Sequence, residues 1–207
     1  DDAYIDQIAA LAAQAESSGL IPLMDFHQDS YSEVYGGEGA PAWASISYGV
    51  PGSAEALGLP GASIANENFW LDTAAPDGIG LQEHYAAAWQ HVAERLQADS
   101  HALFEPYNEP SPGVVDFPVC VQPAGCPEFD IGLLAPFYKK VIQAIRKSNP
   151  TRLIMVEPNA LFDLDSNTWL PSMDDPQVGF AFHDYCPLAL ASLPPGLPVV
   201  PSIPCDQ

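Results

Sequence analysis

The chain has 207 residues, 47% of them hydrophobic, and six Lys plus Arg against 27 Asp plus Glu, for a formal charge of −21. That length suffices for one sizeable domain with its own core. So acidic a surface repels phosphate backbones and anionic headgroups, which excludes nucleic acid as a partner. No apolar run reaches about 18 residues, so stable membrane insertion is not expected either.

Residues 4–18 carry Ile5, Ile8, Ala9, Ala12 and Ala15 at helical spacing, and the spacing predicts a helix. "GLIPLMDF" follows as a short buried strand, then a loop rich in Gly, Pro and Ser from about 30 to 78. Tyr85, Ala88, Trp89, Val92 and Leu96 mark a second helix, and "HALFEPY" a second strand. Leu134, Phe137, Tyr138, Val141, Ile142 and Ile145 line one stripe of a third helix. "RLIMVE" and "VGFAFHDY" are the third and fourth strands, and a Pro-rich tail closes the chain. Alternation of this kind predicts a parallel α/β sheet with right-handed crossovers. Four parallel strands leave two open edges, which natural folds avoid. The sheet is therefore either a small doubly wound one or a section of a closed (β/α)8 barrel.

Cysteines fall as Cys120/Cys126 and Cys186/Cys205, each pair bracketing a loop, "CVQPAGC" and "CPLALASLPPGLPVVPSIPC". Neither spacing resembles a zinc site. Two loop-stapling disulfides are expected, and with them a secreted or extracellular location. Four reduced thiols are the alternative reading. A signal peptide, absent from these residues, is expected upstream.

Polar residues gather behind the strands, where α/β folds place their ligand sites. In "MDFHQD", Asp25, His27 and Asp29 fall on one side if the extended conformation continues. A hydrogen-bonded His flanked by carboxylates explains them, and so does a metal site. No HxH or HExxH pair supplies further ligands, so no metal is expected, and no cofactor. In "NEP", Glu109 precedes Pro110, which favours an extended backbone there. Asn108 beside it offers a donor and an acceptor for a sugar hydroxyl. Glu157, also before a proline, reads as a structural carboxylate on a neighbouring strand. His183 and Tyr185 in "FAFHDYCP" share a side by the same alternation. Trp43 is a candidate for stacking on a sugar, whereas Trp70, Trp89 and Trp169 are assigned to the core and His84, His91 and His101 to structural roles.

Taken with these motifs, "DFHQDSYSEVYGGEGAPAWA", "FEPYNEP", "IMVEP" and "FAFHDYC", the chain resembles glycoside hydrolase family 5, nearest its endoglycoceramidase-like and glycosylceramidase-like members. The tripeptide identifies the clan, and the HQD stretch followed by "GAPAWA" is more specific. The resemblance implies a (β/α)8 barrel of which the four strands are the third to the sixth. It implies retaining hydrolysis of a β-glycosidic bond with Glu109 as general acid/base and Asn108 touching the sugar beside the attacked carbon. It also implies that Asp25, His27 and Asp29 line the glycone subsite and that His183 and Tyr185 support the nucleophile. The family's nucleophilic Glu follows its seventh strand. The chain is accordingly expected to be an internal section, residues 1–207, of a longer catalytic barrel, inactive by itself. The substrate implied is a glycosylceramide, an oligosaccharyl ceramide or another β-glucoside. A non-catalytic carbohydrate-binding half-barrel, an endo-β-glucanase or β-glucosidase acting on non-lipid saccharides, and a metal-dependent hydrolase are the competing readings. The apolar 194–204 tail is assigned either to a lipid-accepting groove or to a stapled loop.

Overall fold

The computed structural model describes residues 1–50, 60–97, 101–113, 120, 124–160 and 167–183. Tyr185, Cys186, Cys205 and the 194–204 tail lie outside them.

Helix α1 spans Asp2–Ser17 and starts where the Asp1 carboxylate accepts from the Ala3 amide at 3.0 Å, satisfying one of the donors a helix start leaves open. Ile5 and Ala12 are its buried positions. Strand β1 (Leu23–Asp25) follows, then 3-10 turns at Glu33–Tyr35 and Ala42–Ala44. Helix α2, Pro60–Trp70, lies inside the stretch expected to be loop. Its buried positions include Ala62, Ala65, Asn66, Asn68, Phe69 and Trp70, a pattern written mostly in small and polar residues that an apolar-periodicity reading passes over. Pro60 opens it, as suits a first helical turn that has no use for the missing N–H.

Helix α3 (Leu81–Arg95) buries Trp89 completely and is tied to α1 by Arg95 and His91 on Asp2 and Asp6. Strand β2 is Leu103–Glu105. The third predicted helix begins as a turn at Pro127–Phe129, passes through a π segment at Asp130–Leu134 and continues as α4, Ala135–Arg146. Phe137, Tyr138, Val141, Ile142 and Ile145 of α4 are buried, as the stripe requires; each is worth about 1.5–3 kcal/mol of transfer free energy. Strands β3 (Ile154–Val156) and β4 (Val178–Phe180) complete the sheet.

All pairings are parallel and the order is β1-β2-β3-β4. A doubly wound sheet reverses its strand order at a switch point. This sheet does not, so among the described residues it is a section of barrel wall. Phe104, Ile154 and Val156 are fully buried, and Arg152 lies 4.9 Å over the Phe104 ring while donating to the carbonyls of Leu96 and Ala102. The opposite parity along the strands carries Asp25, Glu105 and Glu157. Cys120 and Cys126 form a disulfide. Trp169, assigned to the core, is instead 52% exposed, because its indole N–H reaches outward to the Ala124 carbonyl. No helix among the described residues is long and apolar enough to cross a membrane.

Candidate active site

The loop that carries Glu109 is gripped from all sides. Tyr85 and Trp89 of α3 both donate to the Pro106 carbonyl, at 2.8 and 3.0 Å. Asn66 and Trp70 of α2 both donate to the Ser111 carbonyl, and Ala160 N–H donates to the Pro110 carbonyl. Five donors from three segments thereby fix one short loop. The grip explains how Glu109 holds a φ of +45°, where the pre-proline position had predicted an extended backbone. The clash with the proline ring disfavours the right-handed helical region. The chain escapes into the left-handed region instead, at a cost of about 1–3 kcal/mol that the surrounding hydrogen bonds must offset.

Both ends of the Glu109 peptide unit meet side chains. Its N–H donates to Glu157 Oε2 at 2.9 Å, and its carbonyl accepts from Gln28 Nε2 at 3.3 Å. Gln28 Nε2 also donates to the Asn108 carbonyl, and Asn108 Nδ2 returns a bond to the Gln28 carbonyl, both at 3.0 Å. Asn108 is buried. This amide latch joins the loops behind β1 and β2. Strand alternation turns the middle residue of HQD away from Asp25 and His27, so the sequence pattern by itself passes over it.

The Glu109 carboxylate lies 2.5 Å from His183 Nδ1, and His183 Nε2 lies 3.3 Å from Glu157 Oε1. Glu157 shares a side-chain hydrogen bond with Glu105, whose carboxyl is raised above its usual pKa, mainly by burial and then by the Asp25 charge. Asp25 and Glu105 are register partners across β1 and β2, so this proximity is built into the sheet. Three segments thus bring Glu105, Glu109, Glu157 and His183 together. The side chains of Glu109 and His183 keep 20% and 34% exposure, against 1% for Glu157. Only the first two are open to a ligand.

The second group is local. Strand β1 ends at Asp25, yet Asp25, His27 and Asp29 still converge, since Asp29 is held in an antiparallel bridge to Glu38. His27 Nδ1 sits 2.8 Å from Asp25, while its Nε2 faces Asp29 at 3.5 Å and Glu38 at 3.9 Å. Burial raises the Asp25 carboxyl, with His27 opposing. For His27 burial pulls downward, but the hydrogen bond and charge of Asp25, with Asp29 added, leave a net upward shift. His27, Asp29 and Glu38 bring one ligand atom each within 4.8 Å, making them the described residues best placed for a divalent ion. Trp43 is 47% exposed and packs edge-on to His84 at 4.9 Å, a face available for stacking. A cavity of about 680 Å³, mostly apolar, runs between α1, β1 and α3 past Ile8, Phe26 and Val92, with Asp25, His27 and Trp43 on its border.

The family model of Cellulase (glycosyl hydrolase family 5) matches residues 1–192. Endoglycoceramidase I of Rhodococcus hoagii (strain 103S) is 31% identical over 210 residues, 96% of this chain and 41% of that protein. A glucosylceramidase of Rhizopus delemar is 29% identical over 56% of the chain and 22% of its own length. The solved structure of endo-glycoceramidase II from Rhodococcus sp. in a ganglioside GM3 complex superposes with a TM-score of 0.77 at 29% identity, over 92% of this chain and 45% of that one. The chain therefore spans less than half the length of each of these relatives.

Proposed function

The chain belongs to glycosyl hydrolase family 5, and from that premise we propose that it forms a catalytic section of a retaining β-glycosidase acting on a glycolipid, with Glu109 as general acid/base. The carrying observation is the contrast in access: of the carboxylates linked through His183, Glu109 alone keeps an exposed side chain, on a loop held from all sides. Protonated Glu109 gives its proton to the glycosidic oxygen as a second carboxylate attacks the anomeric carbon and forms a glycosyl-enzyme. Ionised Glu109 then takes a proton from the water that releases the sugar. Glu157 is a poor choice for the nucleophile, being covered and already accepting from the Glu109 N–H. The second carboxylate is assigned to chain outside these residues, consistent with the share of each relative that is matched.

Asp25, His27 and Asp29 are placed at the glycone, with Trp43 stacking on a sugar face; Tyr185 joins His183 in this reading. The glycolipid assignment is supported by the named activities of the relatives and by the apolar cavity bordering Asp25 and Trp43. The Cys120–Cys126 disulfide supports a secreted setting.

The test uses Glu109→Gln in the longest natural chain containing these residues. Hydrolysis of a glycosylceramide, whose alcohol is a poor leaving group, is expected to fall at least about a hundredfold, while glycosylation by an activated aryl glycoside falls far less. Equal loss on the two substrates contradicts the acid/base role.

A further inference from the structure

We propose that Glu157 is a positioning residue for Glu109, holding it simultaneously through the main chain and through the imidazole of His183. This rests on the acid/base reading of Glu109. Glu157 Oε2 accepts the Glu109 N–H at 2.9 Å, its Oε1 faces His183 Nε2 at 3.3 Å, and the other face of that ring meets Glu109 Oε1 at 2.5 Å. One buried carboxylate therefore touches the Glu109 backbone directly and its side chain through His183, at the position where the backbone is in the left-handed region.

Protons on this chain of groups follow from donor and acceptor counting. Burial favours the protonated form of Glu105, while its hydrogen bond with Glu157 favours the ionised one. Glu157 accepts from the Glu109 amide through Oε2 and turns its other oxygen toward His183 Nε2 at 3.3 Å. A carboxylate oxygen facing Nε2 favours a proton on that nitrogen. Nδ1 is left facing Glu109, and one further proton lies between them, as imidazole with carboxylic acid or as imidazolium with carboxylate. In the first form Glu109 is loaded as an acid. Glu157 keeps Nδ1 turned to receive or return that proton, and it keeps the Glu109 peptide from relaxing out of φ +45°. The groups facing this row from other elements are Asp25 and His27 behind β1, and Tyr138 of α4, whose hydroxyl donates to the Glu157 carbonyl at 3.0 Å.

The experiment is Glu157→Gln in the longest natural chain. Its amide keeps the volume but cannot accept from His183 through nitrogen. Expected is a fall in kcat of about tenfold to a hundredfold on a glycosylceramide, the range for one unpaired buried group. KM should stay within about threefold, and an activated aryl glycoside should be largely spared, because its leaving group needs no acid. Imidazole ¹⁵N shifts of His183 should move from a fixed Nε2–H tautomer toward a mixture. Should the Gln variant fold poorly, Glu157→Asp keeps the charge and is expected to recover part of the leaving-group selectivity. Equal losses on both substrates, or an unchanged His183 tautomer, overturn the proposal. Leaving-group dependence in Glu109→Gln without any in Glu157→Gln sinks the positioning role alone, whereas its absence from Glu109→Gln sinks the acid/base reading itself.

Discussion

Two carboxylate–histidine groups lie side by side at the ends of these strands, and they are built in opposite ways. The Asp25–His27–Asp29–Glu38 group comes from one stretch of 14 residues, and its His27, Asp29 and Glu38 side chains are 50–66% exposed. The Glu105–Glu109–Glu157–His183 group is gathered from three separate segments, and Glu157 at its centre is 1% exposed. Exposed charges are screened and rearrange at little cost; buried ones must be matched donor for acceptor. The first group can adapt to the hydroxyls of a sugar. The second fixes one side chain in one place.

The sharpest way to break this contrast is to set a buried carboxylate beside the fixed group against an exposed one within the adaptable group. Asp130, fully buried at the π segment, accepts from Asn159 Nδ2 at 2.7 Å, Thr168 Oγ1 at 3.1 Å and Trp169 N at 2.6 Å. It thereby ties down the chain just beyond Glu157. Asp130→Ala is expected to cost about 2–4 kcal/mol, since the buried Asn159 amide and the part-buried Thr168 and Trp169 donors lose their acceptor. Asp29→Ala should cost less than about 0.5 kcal/mol in the same urea titration, as befits an exposed ion pair. Equal midpoints would end the distinction.

How much of each group could be read in the sequence follows the same line. Asp25, His27 and Asp29 stood out because three titratable residues at period two in one stretch need no tertiary knowledge. Glu109 and Asn108 stood out through their tripeptide, and His183 through strand alternation. What stayed hidden depends on register. Glu105 sits inside an apolar run and becomes meaningful only once it is seen opposite Asp25. Glu157 looked structural, and its contact with the Glu109 amide spans 48 residues. Helix α2 escaped because Ala and Asn, not Leu or Ile, occupy most of its inward positions, yet its Asn66 and Trp70 hold the Glu109 loop. The extended backbone expected at Glu109 failed for the same reason, as a local steric rule was overridden by hydrogen bonds from distant segments.

A smaller effect sharpens the comparison on the exposed side, whose rigidity lies in its backbone. Gly39 has a φ of +123°, and a Cβ there would sit 2.7 Å from Gln28 Cβ and 2.9 Å from the Tyr31 carbonyl oxygen. Gly39→Ala is expected to cost about 1–3 kcal/mol through strain and crowding. It should also loosen the Gln28 latch to Asn108, visible as faster hydrogen exchange in the 106–110 loop. Full protection of that loop in the variant would show that the two groups are mechanically independent.

The smallest effect is electrostatic and belongs to His27. Its pKa is raised above the ordinary histidine value because Asp25 and Asp29 together outweigh the burial that opposes them. A histidine raised in the fold stabilises it fully below the unfolded value and loses that contribution as pH climbs through the folded one. The window therefore opens near the ordinary pKa of 6.5 and closes above it. With its side chain half exposed, the contribution is screened by solvent and salt. An NMR titration of the His27 ring should show the raised value in the wild type and a lower one in Asp25→Asn, where the hydrogen-bond acceptor survives but the charge is gone. The difference should shrink as salt is added. A His27 titration that ignored both the substitution and the salt would place this group, too, among the rigid ones, and erase the division between an adaptable exposed cluster and a fixed buried row.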